Sequence, residues 1–153
     1  MTSSICIPSY TTNPTGDMMS DYQKRRKRGM ALLKKMGREE LMLDQKALYP
    51  DLYEMSVGHL FGDVWARPGL SLRDRQLVTL AANIAMARPT GNYSHYRSAK
   101  HIGITHKEIC EVMIQVGHYA GWPAVSNAVR QYTAVLEEEK DIKTGKKRKP
   151  TLV

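Results

Sequence analysis

Residues 90–116 read TGNYSHYRSAKHIGITHKEICEVMIQV, and the order of residue types in this stretch selects a helical fold. Thr105 and Glu108 stand as a T-x-x-E pair, in which the hydroxyl accepts from the backbone N–H three residues on and the carboxylate returns to the cap N–H. Ile109, Val112, Met113 and Val116 follow at three- and four-residue spacing, so a helix with one apolar face starts at this cap. Gly103 closes the preceding segment, which predicts a shorter helix over roughly 92–101 that carries His95.

The same logic extends outward. Upstream, Ser71 is placed as an N-cap with Asp74 three residues on, and Leu77, Leu80, Ala81 and Ile84 make a buried stripe. Before that cap, Pro68 and Gly69 stop a helix running through Leu52, Met55, Val57, Leu60, Phe61, Val64 and Trp65. Further upstream, Met30, Leu33, Leu41, Leu43 and Leu48 suggest one or two helices broken near Gly37 and stopped by Pro50. Downstream of the Gly121-Trp122-Pro123 break, Ala124, Val125, Ala128, Val129, Tyr132 and Val135 define a last helix, with a charged tail from about Glu138. No run alternates with period two over strand length. The expected fold is all-α, a single-domain bundle of about six helices over 21–138, flanked by an arm at 1–20 and a basic tail at 139–153.

Length and composition narrow the function. A chain of 153 residues holds one domain with a core of its own, and no apolar run approaches the roughly 18 residues of a membrane helix. The net charge of +8 is confined to two clusters: Lys24–Arg28 has five positive charges, and 140–149 has six against Asp141, which leaves the centre near neutral. Solvated ends explain this better than a phosphate-binding surface, and the aromatic and glycine patterns of common RNA modules are missing, so nucleic acid is not an expected partner. Cys6 and Cys110 are too far apart for CxxC chemistry or a cysteine zinc site, and no His, Cys, Asp and Glu cluster has metal-ligand spacing. His101 and His106 flank the Gly103 break and are expected to face solvent. The opening MTSSICIPSYTTNPTGD has no secretory pattern, so the cytoplasm is the expected compartment.

Two further segments, VWARPGLSLRDRQLVTLA at 64–81 and HYRSAKHIGITHKEICEVMIQVGHYAGWPAVSNA at 95–128, resemble the carboxymuconolactone decarboxylase family. The resemblance implies a fold shared with alkylhydroperoxidase D-like proteins, homotrimeric or homohexameric assembly, and cofactor-free chemistry on a small carboxylated lactone. In such a substrate, loss of CO2 leaves an electron pair that enters the conjugated lactone carbonyl, so the protein need only stabilise oxygen charge and deliver a proton. His95, at the family's histidine position, is the candidate acid, because an ordinary imidazole populates both protonation states near neutrality. Arg67 or Arg88 is the candidate clamp for the substrate carboxylate, although Arg67 serves equally well as a helix-end cap before the Pro68 turn. Trp65 is read as core or interface first and pocket wall second. Tyr119 and Asn127 also match family positions, with a structural role as the alternative.

Two departures from the family pattern bear on the reaction. The decarboxylases usually carry a glutamate four residues before the helix histidine, where this chain has Gly91. The family's Q-V-A-V-Y-A-G becomes Q-V-G-H-Y-A-G, which brings in His118 as a candidate second acid or base. The peroxidase branch requires C-x-x-C-x-x-x-H, and Arg88 and Gly91 occupy its two cysteine positions, which excludes thiol redox chemistry. The sequence therefore points to a decarboxylase-like enzyme. A family member turned to isomerisation, cyclisation or elimination is the second reading, and a non-enzymatic oligomer with basic partner-binding ends is the third.

Overall fold

The computed structural model describes residues 17–145, with the side chains of 17–20, 41 and 43–45 excepted. The expected arm up to residue 16, including Cys6, and the basic tail from residue 146 lie outside the described residues. Seven α-helices follow in order: α1 Asp17–Lys35, α2 Leu43–Leu48, α3 Pro50–Met55, α4 Leu72–Ala85, α5 Tyr93–Ala99, α6 His106–Ala120 and α7 Trp122–Lys143. A π-helix, Ser56–Val64, continues α3, and single 3-10 turns at Glu40–Met42 and Lys100–Ile102 complete the set. There is no strand among the described residues.

The caps fall where the residue types require. The Asp74 N–H donates to Ser71 Oγ at 3.0 Å, and both halves of the Thr105–Glu108 box are formed. Gly103 and Gly37 take the left-handed conformation, with φ of 75° and 62°. Two expectations about helix ends change. Pro50 opens α3 instead of only stopping its predecessor, because its missing N–H is harmless at the first helical position. The last helix runs past Glu138 to Lys143, since Arg97 donates to the buried Glu138 at 2.7 Å and Lys100 to Glu139 at 2.7 Å.

Two cores form, joined through Ile102. One gathers the buried stripes of α4 to α7, including Leu80, Ile84, Tyr96, Ile109, Met113 and Val135. The other packs Leu33 of α1 and Met36 in the turn after it against Tyr53, Val57, Phe61 and Trp65. The four-residue register 53, 57, 61, 65 is thus the buried one, and Leu52, Met55, Leu60 and Val64 of the same expected stripe are exposed. The widened π turns carry Trp65 inward, its N–H donating five residues back to Leu60 at 2.9 Å.

Glycine decides how closely α1 can approach this segment. A Cβ on Gly29 would stand 1.9 Å from the Val57 carbonyl oxygen, and one on Gly62 2.3 Å from that of Arg25. The resulting contact neutralises much of the basic run. Arg26 donates to Glu54 at 2.9 Å, Arg28 pairs with Asp63 at 3.1 Å, and Arg25 lies 3.6 Å from the same carboxylate. Three of the five cations at 24–28 therefore serve packing between α1, α3 and the π-helix, which removes the sequence basis for a free basic patch there.

Candidate active site

His95 lies at the seam of the two cores. It projects from α5, and its ring stacks on Trp65 with centroids 6.1 Å apart and an interplanar angle of 14°. Trp65 thus touches His95 as well as forming part of the core. From α4, the fully buried Gln76 holds the histidine twice: its Nε2 donates to the His95 carbonyl at 2.7 Å, and its Oε1 stands 3.3 Å from His95 Nδ1. Because the amide nitrogen is engaged at the carbonyl, the atom facing the ring is an acceptor, so Nδ1 carries the proton and Nε2 is left with a lone pair.

The third contributor comes from the segment after α1. Arg38 Nη2 donates to Ser94 Oγ at 2.9 Å, and the guanidinium lies 5.5 Å from the Phe61 ring centroid. Its buried Nε has no hydrogen-bond partner, and among the described side chains no carboxylate pairs with it. Burial brings this guanidinium down to about 10, so it stays charged at neutral pH. Burial, and secondly the Arg38 charge, push His95 down to about 4. The expectation of a resting acid near 6.5 is corrected accordingly: this imidazole is neutral at pH 7 and presents a basic nitrogen beside a cation with an open donor.

The other expected residues are placed elsewhere. His118, on the last turn of α6, is exposed, donates through Nδ1 to its own helix at the Ile114 carbonyl (2.9 Å), and tilts against Trp122 at 6.0 Å. Tyr119 and Trp122 beside it are 85% and 64% exposed, which puts this corner on the protomer surface. Arg67 and Arg88 are both exposed. The Arg67 carbonyl takes a 2.7 Å bond from Arg75, which ties the Pro68 turn to α4. Asn127 donates to the Arg88 carbonyl at 3.1 Å, and buried Gln131 does so at 2.7 Å. These two amides fasten the 86–90 turn, where Ala87 has φ of 49°, and so fix the entry to α5. His106 is exposed yet meets the Tyr132 hydroxyl at 3.1 Å through Nδ1, while His101 is exposed and packs over Gly37. Among the described residues no group of three His, Cys, Asp or Glu side chains is gathered closely enough to hold a metal ion. No helix among them is long and apolar enough to cross a membrane.

Comparison with known proteins adds to this geometry. The model of the carboxymuconolactone decarboxylase family matches residues 50–134, more than half of the chain. The chain belongs to the carboxymuconolactone decarboxylase family. It is 35% identical over 78 residues to the 4-carboxymuconolactone decarboxylase of Acinetobacter baylyi, a match covering 51% of this chain and 58% of that protein. It is also 35% identical over 76 residues to the nitrosuccinic acid decarboxylase of Metarhizium robertsii, covering 50% of this chain and 53% of the relative. The chain thus spans little more than half the length of the curated relatives it matches. Trp65, Gln76 and His95 fall inside the family match, whereas α1 and Arg38 precede it.

Proposed function

We propose that this chain is a decarboxylase of small organic acids whose departing carboxylate leaves an electron pair that the substrate itself delocalises, with His95 handling the proton. The observation that carries the reading is the pinned imidazole: a half-buried, neutral ring whose tautomer Gln76 fixes, set beside an unpaired guanidinium donor. The two relatives act, by their names, on acids with that property. Loss of CO2 from 4-carboxymuconolactone feeds the conjugated lactone carbonyl, and loss from nitrosuccinic acid feeds the nitro group. Neither reaction demands a metal or an organic cofactor, because the electron sink is in the substrate. Arg38 supplies positive charge for the carboxylate or the developing oxyanion, the task the sequence suggested for Arg67 or Arg88.

A second reading draws on the protonation state. A neutral His95 is a base, and isomerisation or elimination begins with proton abstraction from carbon, so the site also suits an enolisable acid that keeps its carboxylate. Absence of the family glutamate at Gly91 favours it further. Incubating the protein with nitrosuccinate and with 4-carboxymuconolactone in deuterated buffer tests both readings at once. The first gives CO2 and solvent deuterium in the product, at the carbon that lost CO2 for nitrosuccinate and at the carbon α or γ to the lactone carbonyl for 4-carboxymuconolactone. The second gives exchange or rearrangement with no CO2.

For assembly we propose a homotrimer or homohexamer. Met55, Tyr119 and Trp122 are 66%, 85% and 64% exposed in one protomer, more apolar surface than scattered single residues account for.

A further inference from the structure

Nothing in the family match assigns a role to Arg38, and the site as described has an electrostatic gap. Proton delivery needs an imidazolium, whereas His95 as it stands holds one proton, on the nitrogen that Gln76 occupies. Two cationic groups held side by side and partly buried repel each other, and one anion between them removes that repulsion. We propose that anionic substrate and proton enter this site together: a carboxylate seats on the Arg38 guanidinium, and His95 takes up one proton from solution at Nε2 as it does so. The inference rests on the assignment of the His95 site as the active site and deepens it by naming Arg38 as the anion-receiving residue.

The geometry supports each part. Arg38 is anchored at one end by Ser94 Oγ and braced by Phe61, so its free Nε has a fixed direction. A second N–H of the planar fork is needed for a two-point grip on a carboxylate, and the sharing of Nη2 with Ser94 leaves the hydroxyl as an added donor. The charged and titratable surroundings of the imidazole are few. Trp65 from the π-helix and Gln76 from α4 are neutral, and the Arg38 charge is the one that bears on His95. His101 packs over Gly37, the residue before Arg38, and is exposed. With an anion bound, the field at His95 changes from repelling a proton to attracting one, and the ring becomes the acid that the carbanion needs. No atom is consumed beyond the substrate and one solvent proton, which ends on the product carbon.

Isothermal titration with succinate, a dicarboxylate that has no electron sink and cannot react, tests this in the full-length protein. The number of protons taken up follows from repeating the titration at pH 6 to 8 in imidazole and in bis-Tris, cationic buffers whose ionisation enthalpies differ. Uptake should approach one proton per site at the acid end, and affinity should rise roughly tenfold from pH 8 to pH 6 by linkage. His95→Gln should bind with no more than about a twofold change over that range and no uptake, while His101→Gln should behave as the wild type. Arg38→Gln should weaken binding by roughly 30-fold or more, as loss of a charge-assisted pair does. Arg38→Lys, which keeps charge but not the fork, should recover part of that loss and retain the uptake. Succinate binding without proton uptake, uptake that persists in His95→Gln, or no binding of succinate at all each overturns the proposal. Its failure is separable from that of the decarboxylase reading, because CO2 release from nitrosuccinate or 4-carboxymuconolactone is scored independently of any succinate titration.

Discussion

Replacing His95 with Gln should make the protein resist acid better, by an amount that the site geometry fixes. The unfolded chain carries an ordinary histidine near 6.5, and burial with Arg38 holds the folded one at about 4. Between these values the unfolded state binds the proton and the folded state does not, so stability rises with pH and is lost as pH falls from 6.5 towards 4. At about 1.36 kcal/mol per pH unit, and allowing for the exposed part of the ring, this one residue removes on the order of 2–3 kcal/mol over that range. His95→Gln cannot titrate and keeps a polar side chain, so the difference between the two proteins isolates the term from all carboxylates. Urea unfolding at fixed protomer concentration, from pH 7 to pH 4, is the assay. The wild-type midpoint should fall further than that of the variant by about 1–1.5 M, for a slope of roughly 2 kcal/mol per molar urea. Parallel pH curves for the two proteins would refute the assignment of a half-buried, neutral His95.

Other substitutions test the packing and the site. Gly29→Ala should destabilise the fold by roughly 3 kcal/mol or more in the same unfolding assay, because its Cβ meets the Val57 carbonyl at 1.9 Å, whereas Gly58→Ala, with its nearest neighbour at 3.7 Å, should stay within about 1 kcal/mol of the wild type. Gln76→Leu frees the His95 tautomer and removes a hydrogen bond to its carbonyl, and should cost about 1–3 kcal/mol of stability along with at least a tenfold loss of turnover, measured as CO2 release. His118→Gln should leave turnover within about threefold of wild type if the exposed position on one protomer reflects its role; a loss of roughly 100-fold would make His118 a partner in proton transfer. Analytical sedimentation at micromolar concentration should show a trimer or hexamer, and a single monomeric species would count against the assembly proposed for the exposed Tyr119–Trp122 face.

What the sequence disclosed follows the range of the interactions involved. Caps at Ser71 and Thr105, the breaks at Gly103 and Gly121, and the α4, α6 and α7 stripes are set by residues within one or two turns, and each was readable. The register of the α3–π segment was not, because Leu52, Met55, Leu60 and Val64 are as apolar as Tyr53, Val57, Phe61 and Trp65, and only the approach of α1 through Gly29 and Gly62 chooses between them. His95 was legible from its motif, but its charge state was not, since that depends on Arg38, 57 positions away in the chain. Gln76 did leave a signal. It precedes Leu80 and Ile84 at four-residue steps, so a polar amide occupies a core position of the α4 stripe, and such a residue must be hydrogen-bonded to something. Arg38 left none, because a guanidinium in a run that also contains Lys34, Lys35 and Glu39 reads as one more surface charge.

The most direct test of the central claim is proton NMR of nitrosuccinate and of 4-carboxymuconolactone incubated with the protein in deuterated buffer containing excess chelator. The account predicts enzyme-dependent CO2 release from at least one of them, with solvent deuterium in the product at a carbon that carried the delocalised electron pair. His95→Gln should slow that release by roughly 100-fold or more. Release at the wild-type rate from His95→Gln, or none from either acid with the wild type, would contradict it.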